Sequence, residues 1–358
     1  MIISRTPFRI SFFGGGTDYP AWYREHGGAV LATTIDKYCY LTCRYLPPFF
    51  EHRIRIVYSK IESCSSVADI GHPAVREVLR FLKVERGVEI HHDGDLPARS
   101  GMGSSSAFTV GLLNALHALQ GRMISKHQLA MEGIHVEQVL LRETVGSQDQ
   151  VSAAYGGLNR IAFSTNGEIG VRPVTISAER ARELNSNLLL FFTGINRTAS
   201  EVAESYVNDV ESRAHHLRLL AEMADEGMSI LTSGEDLNRF GKLLDESWQA
   251  KRSLGSRVSN AHIEEIYSAA LAAGAIGGKL TGAGGGGFLL LFVASSDQSR
   301  VCERLRHLLH VPFHFEYSGS QIIFYDQETD YSEAELARRT HAIGTFRELS
   351  DLRLRREG

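Results

Sequence analysis

Apolar and polar residues alternate through much of the first third of the chain. Residues 9–13 and 29–45 read as strands, the second rich in β-branched and aromatic side chains and stopped by Pro47 and Pro48. Residues 53–59 place Ile54, Ile56 and Tyr58 at every second position, the pattern of a half-buried strand, and 88–92 reads as another. Val75, Val78, Leu79 and Leu82 fall instead at helical spacing. A loop over 93–103 then feeds an apolar helix over 104–120, and Ser125 with Gln128 forms a capping box for a further helix reaching Arg142.

The second half begins with a buried strand over 188–193 and continues with helices over 200–231, 235–253 and 260–273. Strands return over 288–294, 313–317 and 322–325, with an amphipathic segment over 299–309. The layout is α+β, and 358 residues favour two packed lobes of roughly 150 to 180 residues each. The divisions expected are 1–180, 181–330 and a charged C-terminal segment over 331–358, where Ser332 can start a surface helix.

Composition narrows the function by exclusion. A formal net charge of −4 without a long basic run leaves nothing to hold a nucleic acid, so any anionic ligand must be gripped locally. The longest apolar run, 288–294, is far short of the roughly 20 residues of a membrane span, and Met1 to Arg5 lead straight into a strand, so no membrane and a cytoplasmic location are expected. Cys39, Cys43, Cys64 and Cys302 have no paired spacing and read as free thiols.

Two glycine-rich loops and two carboxylates carry the chemistry. Pro97, Arg99, Ser100, Gly101, Met102, Gly103, Ser104, Ser105 and Ser106 run onto the apolar helix, where glycines admit close backbone approach, the helix start offers N–H groups and hydroxyls can bond phosphate or metal. Plain serine capping is the competing account. The second loop, 279–287, contains Gly282, Gly284 and Gly285 but is followed by a strand, which excludes a dinucleotide fingerprint, and Walker A also fails. Its glycines imply close approach to a ligand or to another loop. Glu137 and Asp149 lie twelve residues apart and can serve one metal ion and one proton.

In this order, the segment 7–19 with Gly14, Gly15, Gly16, Thr17 and Asp18, then the 97–107 loop, then the 279–287 loop, the chain resembles the GHMP kinases. The resemblance implies an N-terminal lobe similar to ribosomal protein S5 domain 2, a ferredoxin-like C-terminal lobe and an active site between them. It implies ATP on the 97–106 loop, Mg²⁺ on Ser105 and Glu137, Asp149 as general base and Arg9 steadying the transferring phosphoryl group. Gly15, Gly16, Thr17 and Asp18 are placed at the substrate, with Gly282, Gly284 and Gly285 beside them.

Galactokinases and mevalonate kinases carry Gly-Glu-His where this chain has Gly14 to Gly16. The Gly-Gly-Gly-Thr-Asp form is similar to D-glycero-D-manno-heptose 7-phosphate kinases and fucokinase domains, as are the segments 193–200 and 246–251. That implies a sugar phosphate as acceptor, with Arg197 and Lys251 near its phosphate. Another sugar such as fucose, an ATP-consuming decarboxylase and a non-catalytic sugar and ATP sensor stay open. Oligomeric state is not legible.

Overall fold

Long stretches of β-branched and aromatic residues near the N-terminus build one large sheet, and most later apolar segments build a smaller one. The computed structural model describes residues 1–98, 100–195, 213–255, 257–327 and 329–340. The chain first lays down β1 (Ile2–Phe13), α1 (Pro20–His26), β2 (Gly28–Tyr45), β3 (Ile54–Val57), β4 (Ile61–Cys64), α2 (Pro73–Phe81) and β5 (Val88–Gly94). Next come α3 (Ser104–Leu119), α4 (Lys126–Ile134), α5 (Gln148–Tyr155), β6 (Asn159–Phe163) and β7 (Ile169–Pro173). The second half supplies α6 (Ala178–Ser186), β8 (Leu188–Phe192), α7 (Ala214–Thr232), α8 (Asn238–Arg252), α9 (Ala261–Ala272), β9 (Ala275–Leu280) and β10 (Phe288–Val293). It ends with α10 (Gln298–Arg304), β11 (Leu309–His310), β12 (Phe315–Glu316), β13 (Gln321–Tyr325) and α11 (Ser332–Thr340).

The large sheet runs β13-β1-β2-β5-β3-β4, with β6 and β7 continuing from the first half of β2. At 18 residues β2 serves three partners in succession along one edge, β6 through Gly28–Ala32, β12 through Thr34 and Ile35, and β5 through Cys39–Tyr45. Helix α3 crosses β1 and β2 and is buried nearly all round, so its sequence is apolar throughout rather than striped. Gly111 permits that approach: a methyl group there would meet Thr6 Oγ1 at 2.8 Å, and its carbonyl accepts from Ser4 Oγ at 2.9 Å. The smaller sheet, β11-β8-β10-β9, is antiparallel, and α8 packs on β9.

Several boundaries differ from the sequence reading. Residues 315–325, expected in the second lobe, return to the large sheet: β12 pairs with β2 and β13 with β1. The helix expected to reach Arg142 changes winding at Ile134 and continues as a π-helical turn, His135–Leu140. The segment over 299–309 is helical only to Arg304, and the strand over 313–317 shrinks to two residues. Of the helix over 200–231, the part before residue 213 lies outside the described residues. All four cysteines are free. Helix α11 docks on the large sheet, where Glu335 pairs with Arg53 at 3.1 Å and accepts the Gly87 N–H at 3.2 Å.

Candidate active site

The first loop is tied to β1 by its backbone. The Arg9 N–H donates to Met102 O at 3.0 Å, and Arg9 Nη1 donates to Gly101 O at 2.6 Å. The remaining guanidinium donors reach Asp149 in a fork, Nε to Oδ1 and Nη2 to Oδ2, both at 2.7 Å. Arg9 is buried while the Asp149 side chain keeps 24% exposure, so the pair is braced from the protein side and open from the other. Such bidentate geometry fixes a carboxylate in position as well as in charge. Asp149 also sits in the first turn of α5, where the helix dipole favours an anion.

Serine capping does not explain the serine run. The cap of α3 is Gly103, at φ +74°, with no side-chain cap bond. Ser106 Oγ donates instead to Glu137 Oε2 at 2.8 Å, Thr109 Oγ1 to Oε1 at 2.9 Å and Ser105 Oγ to Oε1 at 3.4 Å, while Gln150 Nε2 donates to Oε2. The π-helical turn carries Glu137 into this cluster; such turns recur at functional sites. Burial pushes Glu137 up to about 7, with the hydrogen bonds from Ser106, Gln150 and Thr109 pulling the other way.

Between the two loops, the approach is backbone to backbone. A methyl group at Gly282 would lie 2.6 Å from Gly101 Cα, and one at Gly287 would lie 2.1 Å from Ser100 O. Only glycine fits. The sequence assigns Gly282, Gly284 and Gly285 to substrate; here Gly282 meets the first loop, Gly284 would meet Val258 O at 2.6 Å, and Gly285 N donates to Val258 O at 2.8 Å. At Gly282 and Gly284 the side where a Cβ would stand faces protein backbone.

Asp18 is buried, accepting from Gly16 N at 2.9 Å and Gln148 N at 3.4 Å, and burial followed by the charge of Asp149 raises its pKa. Two of the residues expected at the substrate make contacts within the protein. Thr17 is fully buried and its hydroxyl donates to Gly14 O at 2.8 Å, so it closes the turn. Gly16 gives its N–H to Asp18 and faces Leu217 at 3.2 Å, an apolar neighbour. Lys251 is buried with its ammonium on Gly282 O; burial and Arg9 lower its pKa to about 8, against the pull of Asp18 and Asp149. The expected loop contacts differ in access: Pro97 is exposed, whereas Ser100 and Met102 are fully buried. Arg99 and Arg197 lie outside the described residues.

Sequence reasoning missed Thr109, Gln150 and Lys279. Lys279 is 2% exposed and donates to Phe12 O at 2.6 Å, tying β9 to the end of β1; burial, then Lys251 and Arg9, drive its pKa far down. Its position at the head of the second loop was the available signal. Gln150 and Thr109 gave none, one being a polar residue on a short helix and the other lying inside an apolar one.

Arg9, Lys251 and Lys279 thus converge with Asp18 and Asp149 beside two interlocked glycine loops, an arrangement suited to transferring an anionic group onto a hydroxyl. The chain matches the GHMP kinases N terminal domain over residues 71–157 and the GHMP kinases C terminal domain over 218–310. It belongs to the GHMP kinases, phosphotransferases that use ATP and a hydroxyl acceptor.

Among curated relatives, D-glycero-alpha-D-manno-heptose 7-phosphate kinase of Campylobacter jejuni is 29% identical over 316 residues, covering 85% of this chain and 93% of that one. The bifunctional fucokinase/GDP-fucose pyrophosphorylase of Arabidopsis thaliana is 26% identical over 82% of this chain, which spans 30% of that longer protein. The solved structure of a D-glycero-D-manno-heptose 1-phosphate kinase from Bacteroides thetaiotaomicron superposes with a TM-score of 0.75, at 24% identity, over 91% of this chain and all of that one. That likeness establishes the fold.

Proposed function

We propose that this chain transfers the γ-phosphoryl group of ATP to the anomeric hydroxyl of D-glycero-D-manno-heptose 7-phosphate, giving the 1,7-bisphosphate. The observation that carries it is the near full-length likeness to a heptose 7-phosphate kinase, joined to a site whose cations surround two carboxylates. Asp149 accepts the acceptor's proton from its exposed side, and Arg9 holds it there while offsetting charge on the transferring group. Lys251 and Asp18 face the acceptor. The 97–106 loop takes the ATP phosphates, with Ser104 and Ser105 at the start of α3 and the buried residues shaping the loop.

Mg²⁺ fits this donor set. The Ser105 hydroxyl and the Glu137 carboxylate are hard oxygens 3.4 Å apart at the helix start. Mg²⁺ keeps several waters and takes one or two carboxylates plus phosphate oxygens, so few protein donors suffice. Bound there, it would neutralise phosphate charge. Replacing Glu137 by Gln should raise the Mg²⁺ concentration for half-maximal turnover by about tenfold or more; an unaltered Mg²⁺ titration removes Glu137 as a ligand.

The test of the assignment is ADP release with Mg²⁺-ATP across the heptose 7-phosphate, mannose, fucose, galactose and mevalonate, with phosphorus NMR of the product. Selective turnover of the heptose phosphate with a new anomeric phosphate is expected. Turnover of fucose alone would transfer the assignment to the second reading, which the Arabidopsis relative favours.

A further inference from the structure

Position 15 marks a place where the chain buries polar atoms without partners. Ser11 and Gln148 are 5% and 8% exposed, yet Ser11 Oγ and Gln148 Oε1 have no hydrogen-bond partner among the described residues. Buried polar side chains are overwhelmingly hydrogen-bonded, so two such groups together call for an explanation. The Ser11 hydroxyl and the Gln148 amide, through its Nε2, meet beside Gly15. A methyl group added to Gly15 would lie 3.6 Å from Ser11 Oγ and 3.7 Å from Gln148 Nε2. The spot borders the acceptor machinery, since Gln148 N donates to Asp18 at 3.4 Å and the next residue is Asp149.

We infer that Ser11 and Gln148, over the bare face of Gly15, form a subsite that reads a hydroxyl group of the polyhydroxylated acceptor. The subsite rests on the proposed sugar phosphate kinase activity and adds to it a pair of specificity residues. A hydroxyl there can donate to Ser11 Oγ and accept from Gln148 Nε2, giving the partnerless Ser11 oxygen a bond. A group built to hydrogen-bond a substrate hydroxyl discriminates strongly against an analogue that lacks it. Glycine at 15 is then required for room, since its backbone is not in the left-handed region and Ala would meet only ordinary contacts.

Gly15→Ala, Ser11→Ala and Gln148→Met should each raise the acceptor KM about tenfold or more, with kcat and the ATP KM within about threefold of the parent enzyme. Melting temperature of the Gly15→Ala protein should stay unchanged, separating a filled subsite from a damaged fold. Among acceptors lacking one hydroxyl each, one should lose affinity with the parent enzyme and lose no more with Ser11→Ala. If the parent enzyme phosphorylates the heptose phosphate while Gly15→Ala and Ser11→Ala keep its KM, the subsite is wrong and the kinase assignment stands. If the parent enzyme turns over no sugar at all, both fall.

Discussion

Asp149→Asn should lower kcat by about 10² to 10⁴ while the KM for ATP stays nearly constant. Asp149 is the carboxylate of the site that is both partly exposed and held from behind, with Arg9 bonded to each oxygen at 2.7 Å. Asn preserves size but presents an N–H₂ group to a guanidinium that can only donate, so alignment suffers along with basicity. In phosphoryl transfer through a loose transition state, alignment and charge carry more of the rate than early proton removal. The 97–106 loop, proposed to take the ATP phosphates, is held to β1 by the Arg9 N–H and Met102 O, which the substitution leaves in place. Single-turnover assays at saturating ATP provide the measurement. Turnover within about threefold of the parent enzyme would remove Asp149 from the mechanism.

Lys251 should impose an alkaline limb. Its pKa is lowered to about 8 by burial and by Arg9, while Asp18 and Asp149 act in the opposite sense. Between about pH 8 and the ordinary 10.5 the folded protein has released this proton and the unfolded chain still holds it. The burial cost is therefore full below about pH 8 and fades above it. Binding an anion reverses the preference, because the ligand favours the ammonium. For the phosphorylated acceptor, kcat/KM should be highest below about pH 8 and fall toward higher pH, by up to about tenfold per unit. Lys251→Met should lower it about 10- to 100-fold below pH 8 and flatten the limb. A Met variant with the parent profile would show that Lys251 does not contact the anion.

The core segments of both sheets and the three motifs themselves were legible because each is local, whereas their meeting was implied only by the resemblance to the GHMP kinases. β-Branched and aromatic content marks β2, alternation marks β3, helical spacing marks α2, and glycine runs mark the loops. What escaped depends on partners far along the chain. Gln150 and Thr109 acquire their role from Glu137, and Lys279 from Phe12, 267 residues away. The winding change at Ile134 leaves no hydrophobic period to read. Strands β12 and β13 are short, and the exposure of Ile323, Phe324 and Tyr325 hides which sheet they join. The glycines at 282 and 284 were correctly singled out for close approach, but sequence alone could not say whether a ligand or a loop came near.

The contact of Gly101 with Gly282 and of Ser100 with Gly287 also constrains how this enzyme can be recombined. Each loop is cast against the other's main chain, so no side-chain swap can repair a mismatch between them. A chimaera taking its front half from one relative and its back half from another inherits two surfaces that never matched. Exchanging both loops as a matched set, together with the residues at 9, 258 and 279 that anchor them, is the smallest graft that keeps the mould and its cast together.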